Sequence, residues 1–196
     1  MVTGSSFAPR DVARRIAAKL PGPLARRFAA DERGLSALEF ALILPIMVGL
    51  YLGGVEVGDA FTIKRKVTNT ASALADLVAQ SRTVSANDIK NIFDVSEAMI
   101  VPYEDDKLKM RISGIEIDSK GKATVKWSDA RNHTAFAKNA AIAVPDGVNQ
   151  KDTFLVLAEV HYDYKPTFGY VLTGTFDLNE QFYLRPRISN DVDRVP

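Results

Sequence analysis

The sequence GLSALEFALILPIMVGLYLGGV, residues 34–55, decides the fold of this chain. No charged side chain lies between Glu39 and Glu56. Together with residues 35–38, the apolar segment reaches about 20 residues, the length that an α-helix needs to cross about 30 Å of hydrocarbon. The segment lacks the polar stripe that a core helix of a soluble protein normally carries. We therefore predict a transmembrane helix over residues 35–60.

Two residues in this segment are unusual for a plain membrane helix. Glu39 places a carboxylate at its start, where burial in lipid costs about 2.5–3.5 kcal/mol on insertion scales and charged residues tend to be functional. Pro45 removes one backbone hydrogen bond and predicts a kink, which membrane helices tolerate. Glu39 therefore calls for a functional explanation.

The basic residues around the segment predict its orientation. Six Lys or Arg side chains lie in the twenty residues before Gly34, whereas only Lys64, Arg65 and Lys66 follow at a comparable distance. The positive-inside rule then places a basic leader, residues 1–34, in the cytoplasm and the chain after the helix on the opposite side. A cleaved secretory signal is the alternative, but its apolar region should lie within about the first 15–30 residues.

Helical periodicity continues beyond the apolar segment. Apolar residues recur at spacings of four, three and four, at Val67, Ala71, Leu74 and Val78. This stripe predicts that the membrane helix extends as an amphipathic helix to near Gln80. A shorter helix follows from a cap at Ser85 or Asn87, with apolar positions at Ile89, Ile92 and Phe93.

The period then changes to two, which is typical of β-strands. One strand alternates at Leu108, Met110 and Ile112 and then, out of phase, at Ile115 and Ile117, so we predict a β-bulge at Ser113-Gly114. A turn at residues 118–121 leads to a partner strand with Ala123, Val125 and Trp127. Two further strands are predicted over residues 154–165 and 178–185, with looser segments over 130–150 and 166–176.

These elements predict an α+β fold, in which a single transmembrane helix continues into an amphipathic helix that packs on a small antiparallel sheet. The domain organisation follows as a leader (1–34), a membrane helix (35–60), a helix-and-sheet domain (61–189) and a tail (190–196).

Composition and motifs disfavour several classes of function. The chain has 25 basic and 24 acidic residues, so a nucleic-acid partner is not expected. It has no cysteine for disulfides or thiolate metal sites. His133 and His161 are 28 positions apart without a carboxylate cluster at ligand spacing, so no metal site is predicted. Without a nucleophile–base motif or a phosphate-binding glycine loop, we expect no enzyme activity, cofactor or small-molecule substrate.

The basic leader, the glycine, the Glu-Phe pair, the membrane helix and the C-terminal sheet together resemble a type IV pilin-like subunit. The chain is most similar to the TadE/TadG-like proteins of bacterial tight-adherence (Flp) pilus systems. Gly34, Glu39, Phe40 and Pro45 carry this resemblance, and the segments AEVHYDYKPTFGY (158–170) and EQFYLRPRIS (180–189) resemble the final strands of family members.

The resemblance implies that a prepilin peptidase cuts between Gly34 and Leu35. Leu35 would then carry a free α-amine, and Glu39, one helical turn along and next to Phe40, would neutralise that amine in its own chain or in a neighbouring subunit. The leader is long for this system, and some related proteins stay as uncleaved anchors. In that case Glu39 would lie only at the membrane interface.

The sequence therefore predicts a minor pseudopilin or assembly protein of a tight-adherence pilus that acts through protein contacts. Its predicted partners are the inner membrane, other pilus subunits and pilins, and the prepilin peptidase. We expect a single-pass protein of the bacterial inner membrane, with its C-terminal domain in the periplasm and a place in the pilus itself as one outcome. The alternative is an anchored periplasmic interaction domain unrelated to pili, and an anchored hydrolase is a third, weaker reading.

Overall fold

The computed structural model describes residues 33–167, 169 and 173–196, with the backbone alone for residues 33–36. The leader residues 1–32 lie outside the described residues, as do Phe168 and Tyr170 of the segment that resembles family strands. The chain divides into two compact units, Met1–Tyr51 and Leu52–Pro196.

One long helix dominates the N-terminal part of the structure. Helix α1 runs over Arg33–Ala79 and continues through Pro45. Among the described residues it is the one helix long and apolar enough to cross a membrane, and only 11% of its most apolar stretch is buried. The prediction that the apolar helix extends into an amphipathic half is confirmed.

The remaining elements are short and follow in chain order. They are β1 (Thr83–Val84), α2 (Ala86–Ala98), a 3₁₀ turn (Asp105–Lys107), β2 (Leu108–Ile117), β3 (Ala123–Arg131), β4 (Thr153–Tyr164), β5 (Phe176–Leu184) and β6 (Asp193–Arg194).

Helix α2 begins at the predicted cap. The Ser85 hydroxyl accepts a hydrogen bond from the backbone N–H of Asp88, and the Asp88 carboxylate accepts one in return from the backbone N–H of Ser85. This reciprocal pair forms a capping box, which satisfies backbone donors at the helix start. The hydrogen bonds from Ser85 also lower the pKa of Asp88.

Strands β2 to β5 form one antiparallel sheet in the order β3-β2-β4-β5. The α+β fold with a helix packed on an antiparallel sheet is therefore confirmed. Strand β1 pairs in parallel with β6, through Thr83 with Asp193 and Val84 with Arg194. The segment 190–196, predicted as a tail outside the domain, thus contributes a strand, and Val192 is buried.

The predicted β-bulge is present, but it lies on β3 and not on β2, so the prediction of its strand is wrong. The register between β2 and β3 does shift between Gly114 and Ile115, but Gly114 pairs with Trp127 and Ile115 pairs with Val125. The extra residue is therefore Lys126, on β3. Strand β2 keeps an unbroken register with β4, so its alternation of faces continues along its whole length.

The change of phase in β2 has a different cause, because both faces of the sheet are covered. One face packs on α1 and α2 and forms the main core, in which the predicted helix stripe is fully buried: Val67, Ala71, Leu74 and Val78. The opposite face forms a second core from Ile115, Ile117, Ala123, Leu155 and Leu157. Side chains of the segment 136–148 pack against this second core: Phe136, Ile142, Val144 and Val148.

Candidate functional site

The candidate functional site is the N-terminal half of α1, where the apolar side chains are exposed. Every side chain from residue 37 to residue 48 is exposed, and Leu50 and Tyr51 are 73% and 72% exposed. Exposure of apolar surface to water costs about 25 cal/mol per Å². A surface of this length on a helix therefore requires lipid or other helices to cover it.

Glu39 is exposed within this apolar surface. No ion pair or hydrogen bond to Glu39 forms within the described part of the chain. The next charged residue along the helix is Glu56. The Glu39 carboxylate is therefore available to a group on another molecule or at the N-terminus of the processed chain.

The predicted processing residues lie in the first turn of α1. Gly34 and Leu35 both have helical backbone, and Phe40 is 59% exposed beside Glu39. Residues four apart in a helix differ by about 6 Å in height along the axis and lie on the same side. The structure thus places Glu39 one turn from the nitrogen of Leu35. Cleavage and pairing themselves remain predictions.

A buried carboxylate marks the point where α1 meets the sheet. Glu56 is only 1% exposed, and the Tyr164 hydroxyl donates a hydrogen bond to its backbone carbonyl at 3.4 Å. In the sequence, Glu56 marks only the end of the apolar segment. Ala60 lies four residues and Ile63 seven residues after Glu56, and this helical spacing places Glu56 on the buried stripe and could have revealed its position.

Lysine 64 connects α1 to the edge strand β5. Its ammonium lies 2.7 Å from the Glu180 carboxylate and donates to the backbone carbonyl of Asn179 at 2.9 Å. Thr68, one turn along, donates to the same Glu180 carboxylate at 3.1 Å. These contacts between side chains and an edge strand were not predictable, because they depend on the final position of β5.

Lysine 66 holds the chain that follows α2. Its ammonium donates to the carbonyls of Met99 and Val101 at 3.1 and 2.7 Å. Lys64 and Lys66, used above only to predict orientation, thus attach the second half of α1 to neighbouring parts of the same unit, Leu52–Pro196.

The two histidines come together although they are far apart in sequence. The rings of His133 and His161 meet edge to face with 5.2 Å between their centres. Among the described residues, no group of three His, Asp or Glu side chains is arranged to hold a metal ion. The amide nitrogen of Asn132, in the sequence Asn132-His133-Thr134, donates to the carbonyl of Leu108 at 3.0 Å.

An open cleft of about 1150 Å³ lies where β2 and β3 join, next to the C-terminal segment. Its described lining includes Ser119, Ser128 and several carboxylates, and neither histidine is part of it. The indole N–H of Trp127 donates to the carbonyl of Val192 at 2.7 Å and ties the C-terminal segment to this edge. The described lining offers no serine–histidine pair of the kind that hydrolases use.

Comparison with known proteins supports the resemblance over part of the chain. Residues 34–76 match the family of TadE-like proteins. No curated protein and no solved structure gives a significant match. The matched region begins at the glycine of the predicted processing site, includes Glu39, Phe40 and Pro45, and ends inside the amphipathic half of α1. The sheet lies outside it.

Proposed function

We propose that this chain, whose residues 34–76 match the TadE-like proteins, is a membrane-anchored pseudopilin or assembly protein of a tight-adherence pilus. The observation that carries the proposal is the two-part helix α1. Its first part exposes a continuous apolar surface, and its second part is buried in the core of a helix-and-sheet domain. The family match includes both parts.

In this proposal the exposed part of α1 is covered in two environments, one after the other. In the membrane, lipid covers the side chains from residue 37 to Tyr51. In an assembled complex, helices of other subunits replace the lipid, through van der Waals packing of the same surface. The protein therefore acts by contact rather than by catalysis.

Glu39 gives this exchange its specificity. Hydrolysis of the Gly34–Leu35 peptide bond would leave a carboxylate on Gly34 and a free amine on Leu35, which is protonated at neutral pH. An ammonium and a carboxylate that meet in a medium of low dielectric attract each other strongly. A neighbouring subunit that brings its amine to Glu39 would therefore be held in one register.

The N-terminal residue of the protein recovered from membranes tests the processing step. We expect the full-length chain, expressed in its own host and purified from the membrane fraction, to begin at Leu35 by N-terminal sequencing and intact mass. A protein that still begins at Met1 would contradict processing and leave a role as an uncleaved assembly anchor.

Orientation has a direct test, because the chain has no cysteine. Ser119 is exposed in the turn between β2 and β3, so Ser119→Cys offers a single reactive thiol. We expect a membrane-impermeant maleimide to label it in spheroplasts without lysis. Ser5→Cys, in the leader and studied in the Gly34→Ala background, is the matched control and should be labelled only after lysis. Labelling in the reverse pattern would contradict the orientation.

The pilus role separates this proposal from an anchored domain unrelated to pili. Deletion of the gene should abolish surface pili, and crosslinking in membranes should capture pilus subunits through α1. Normal pili in the deletion strain, without crosslinks to pilus subunits, would favour the unrelated anchored domain.

A further inference from the structure

A cluster of polar side chains on the sheet has no part in the proposed function. Odd-numbered residues of β2 and β4 lie on the face opposite α1. At one end of this face they form the second core. At the other end they are charged or carry imidazole rings: Lys109, Arg111, Glu159, His161 and Asp163.

The segment 132–136 lies where the apolar and polar ends of this face meet. Arg111 donates to the carbonyl of Thr134 at 2.9 Å, and its guanidinium carbon lies 3.6 Å from the centre of the Phe136 ring. The backbone N–H of Phe136 donates to the Ser128 hydroxyl at 3.1 Å, and the Phe136 ring packs against the second core. This segment therefore covers part of that core.

His133 contributes a further hydrogen bond, which depends on its protonation state. Its Nδ1 accepts a hydrogen bond from the backbone N–H of Thr134 at 2.7 Å. A ring nitrogen can accept only while it carries no proton, and both nitrogens of an imidazolium are donors. The hydrogen bond to Thr134 therefore requires a neutral His133.

The charged groups around His133 disfavour its protonation. Partial burial lowers the pKa of His133, and the nearby Arg111, His161 and Lys109 lower it further, against an opposing effect of Glu159. The carboxylates on this face already have partners. Glu159 lies 2.5 Å from Arg111, Asp163 lies 2.6 Å from Lys109, and Asp177 of β5 lies 3.5 Å from Nδ1 of His161.

We propose that the segment 132–136 is a pH-sensitive latch. Protonation of His133 breaks its hydrogen bond to Thr134 and places a positive charge beside Arg111 and His161. Acid therefore releases the segment and uncovers the second core. The opened segment would expose Phe136 together with the apolar side chains of Ile115 and Leu157.

The direction of the pH dependence follows from the lowered pKa. His133 in the released segment regains a pKa near its ordinary value of 6.5, whereas the closed segment binds a proton only at lower pH. Protonation of His133 therefore does not weaken the closed latch above about pH 6.5, and the closed latch loses stability as the pH falls below that value. Between the two pKa values, the ratio of open to closed protein rises by up to about tenfold per pH unit.

Hydrogen exchange on the full-length protein in detergent micelles tests the latch. We expect the amide protons of Thr134 and Phe136, corrected for intrinsic exchange, to lose protection by several-fold between about pH 7.5 and about pH 5.0. The amide protons of β4 between Val156 and Ala158 are the internal control and should keep theirs. Protection at Thr134 and Phe136 that does not change with pH would overturn the proposal.

Two variants connect the effect to the histidines. The side-chain oxygen of His133→Asn can still accept from Thr134 but does not titrate, so this variant should stay closed at acid pH. An acid-induced opening that persists in it would overturn the proposal. In His161→Gln a neighbour that lowers the pKa of His133 is lost, so the closed and open pKa values come closer and acid should open the segment less. An acid-induced opening as large as in the unmodified protein would contradict the role of His161.

A measurement on the unmodified chain needs no variant. The chain has only two histidines, so labelling of histidine with ¹⁵N gives two imidazoles to assign. At pH 7.5 we expect His133 to be neutral, with its proton on Nε2. A doubly protonated His133 at that pH would overturn the proposal.

Discussion

The Lys64 ammonium lies 2.7 Å from the Glu180 carboxylate and joins helix α1 to the edge strand β5. The two side chains are 40% and 26% exposed, so water screens their attraction. Exposed ion pairs of this kind contribute about 0.2–1 kcal/mol. The main core must therefore supply most of the free energy that holds α1 on the sheet, and Lys64 chiefly fixes where β5 lies along the helix.

A double-mutant cycle on Lys64→Met and Glu180→Gln should give a coupling energy below about 1 kcal/mol that decreases with added salt. Glu180→Gln keeps an acceptor for Thr68, so the cycle isolates the charge. The free energy of unfolding can be followed in micelles by the fluorescence of Trp127, the only tryptophan. A coupling above about 2 kcal/mol would mean that the pair is more shielded than its exposure indicates.

Truncation of the buried stripe should have a much larger effect. Leu74 is fully buried in the main core, so Leu74→Ala should lower the free energy of unfolding by about 2–5 kcal/mol through lost burial and the cavity that remains. Leu77→Ala is the matched control on the same helix, since Leu77 is 38% exposed. It should cost less than about 1 kcal/mol. Equal losses of stability from both variants would contradict the finding that Leu74 faces the main core and Leu77 faces away from it.

Gly114 allows two rings to lie directly over the backbone of β2. A Cβ atom at this position would lie 2.4 Å from Nε1 of Trp127 and 2.6 Å from the Phe154 ring. The hydrogen bond from Trp127 to Val192 prevents the indole from moving aside freely. We expect Gly114→Ala to destabilise the domain by about 1–3 kcal/mol.

Gly147→Ala is the control for this substitution, because no atom lies within 4 Å of its added Cβ. It should change the free energy of unfolding by less than about 0.5 kcal/mol. A Gly114→Ala variant as stable as this control would show that the Trp127 indole can adopt another conformation without loss of stability.

Local periodicity explains what the sequence could predict. The stripe through Val67 and Leu74, the cap at Ser85 and the hairpin at residues 118–121 depend on neighbours within a few positions. Each of these three features can therefore be recognised in the sequence, from the spacing of apolar residues or from residue types that favour caps and turns. The resemblance to TadE-like proteins is confirmed over residues 34–76 for the same reason, since its motif is local.

The features that were missed depend on distant parts of the chain. Strand β1 has two residues, too few for a period, and its partner Asp193–Arg194 is more than 100 positions away. The sequence predicts the bulge on β2 because Ile115 and Ile117 change phase. The actual reason is the second core under residues 136–148, an irregular segment without a repeating pattern. The meeting of His133 and His161 likewise depends on the final fold.

The processing site leads to a prediction about Gly34. If the Gly34–Leu35 bond is the cleavage site, Gly34→Ala should block processing, because a Cβ would lie next to the bond that the peptidase must bind. The leader should then remain on the protein, as seen by its mass in the membrane fraction. Gly49→Ala, in the same helix and with open space around its added Cβ, is the matched control and should be processed normally. Normal processing of Gly34→Ala would argue against this site.

Glu39 should matter after cleavage rather than for it. Glu39→Ala removes the carboxylate four residues from the new amine, so the variant should be processed to Leu35 but should fail to enter the assembled pilus. Glu39→Gln keeps the shape of the side chain without its charge and should fail in the same way, whereas Glu39→Asp should restore part of the assembly. Quantitative blots of sheared pili and of membranes measure both steps. If Glu39→Gln assembles as well as the unmodified protein, the shape of the side chain is sufficient and the proposed charge pairing is wrong.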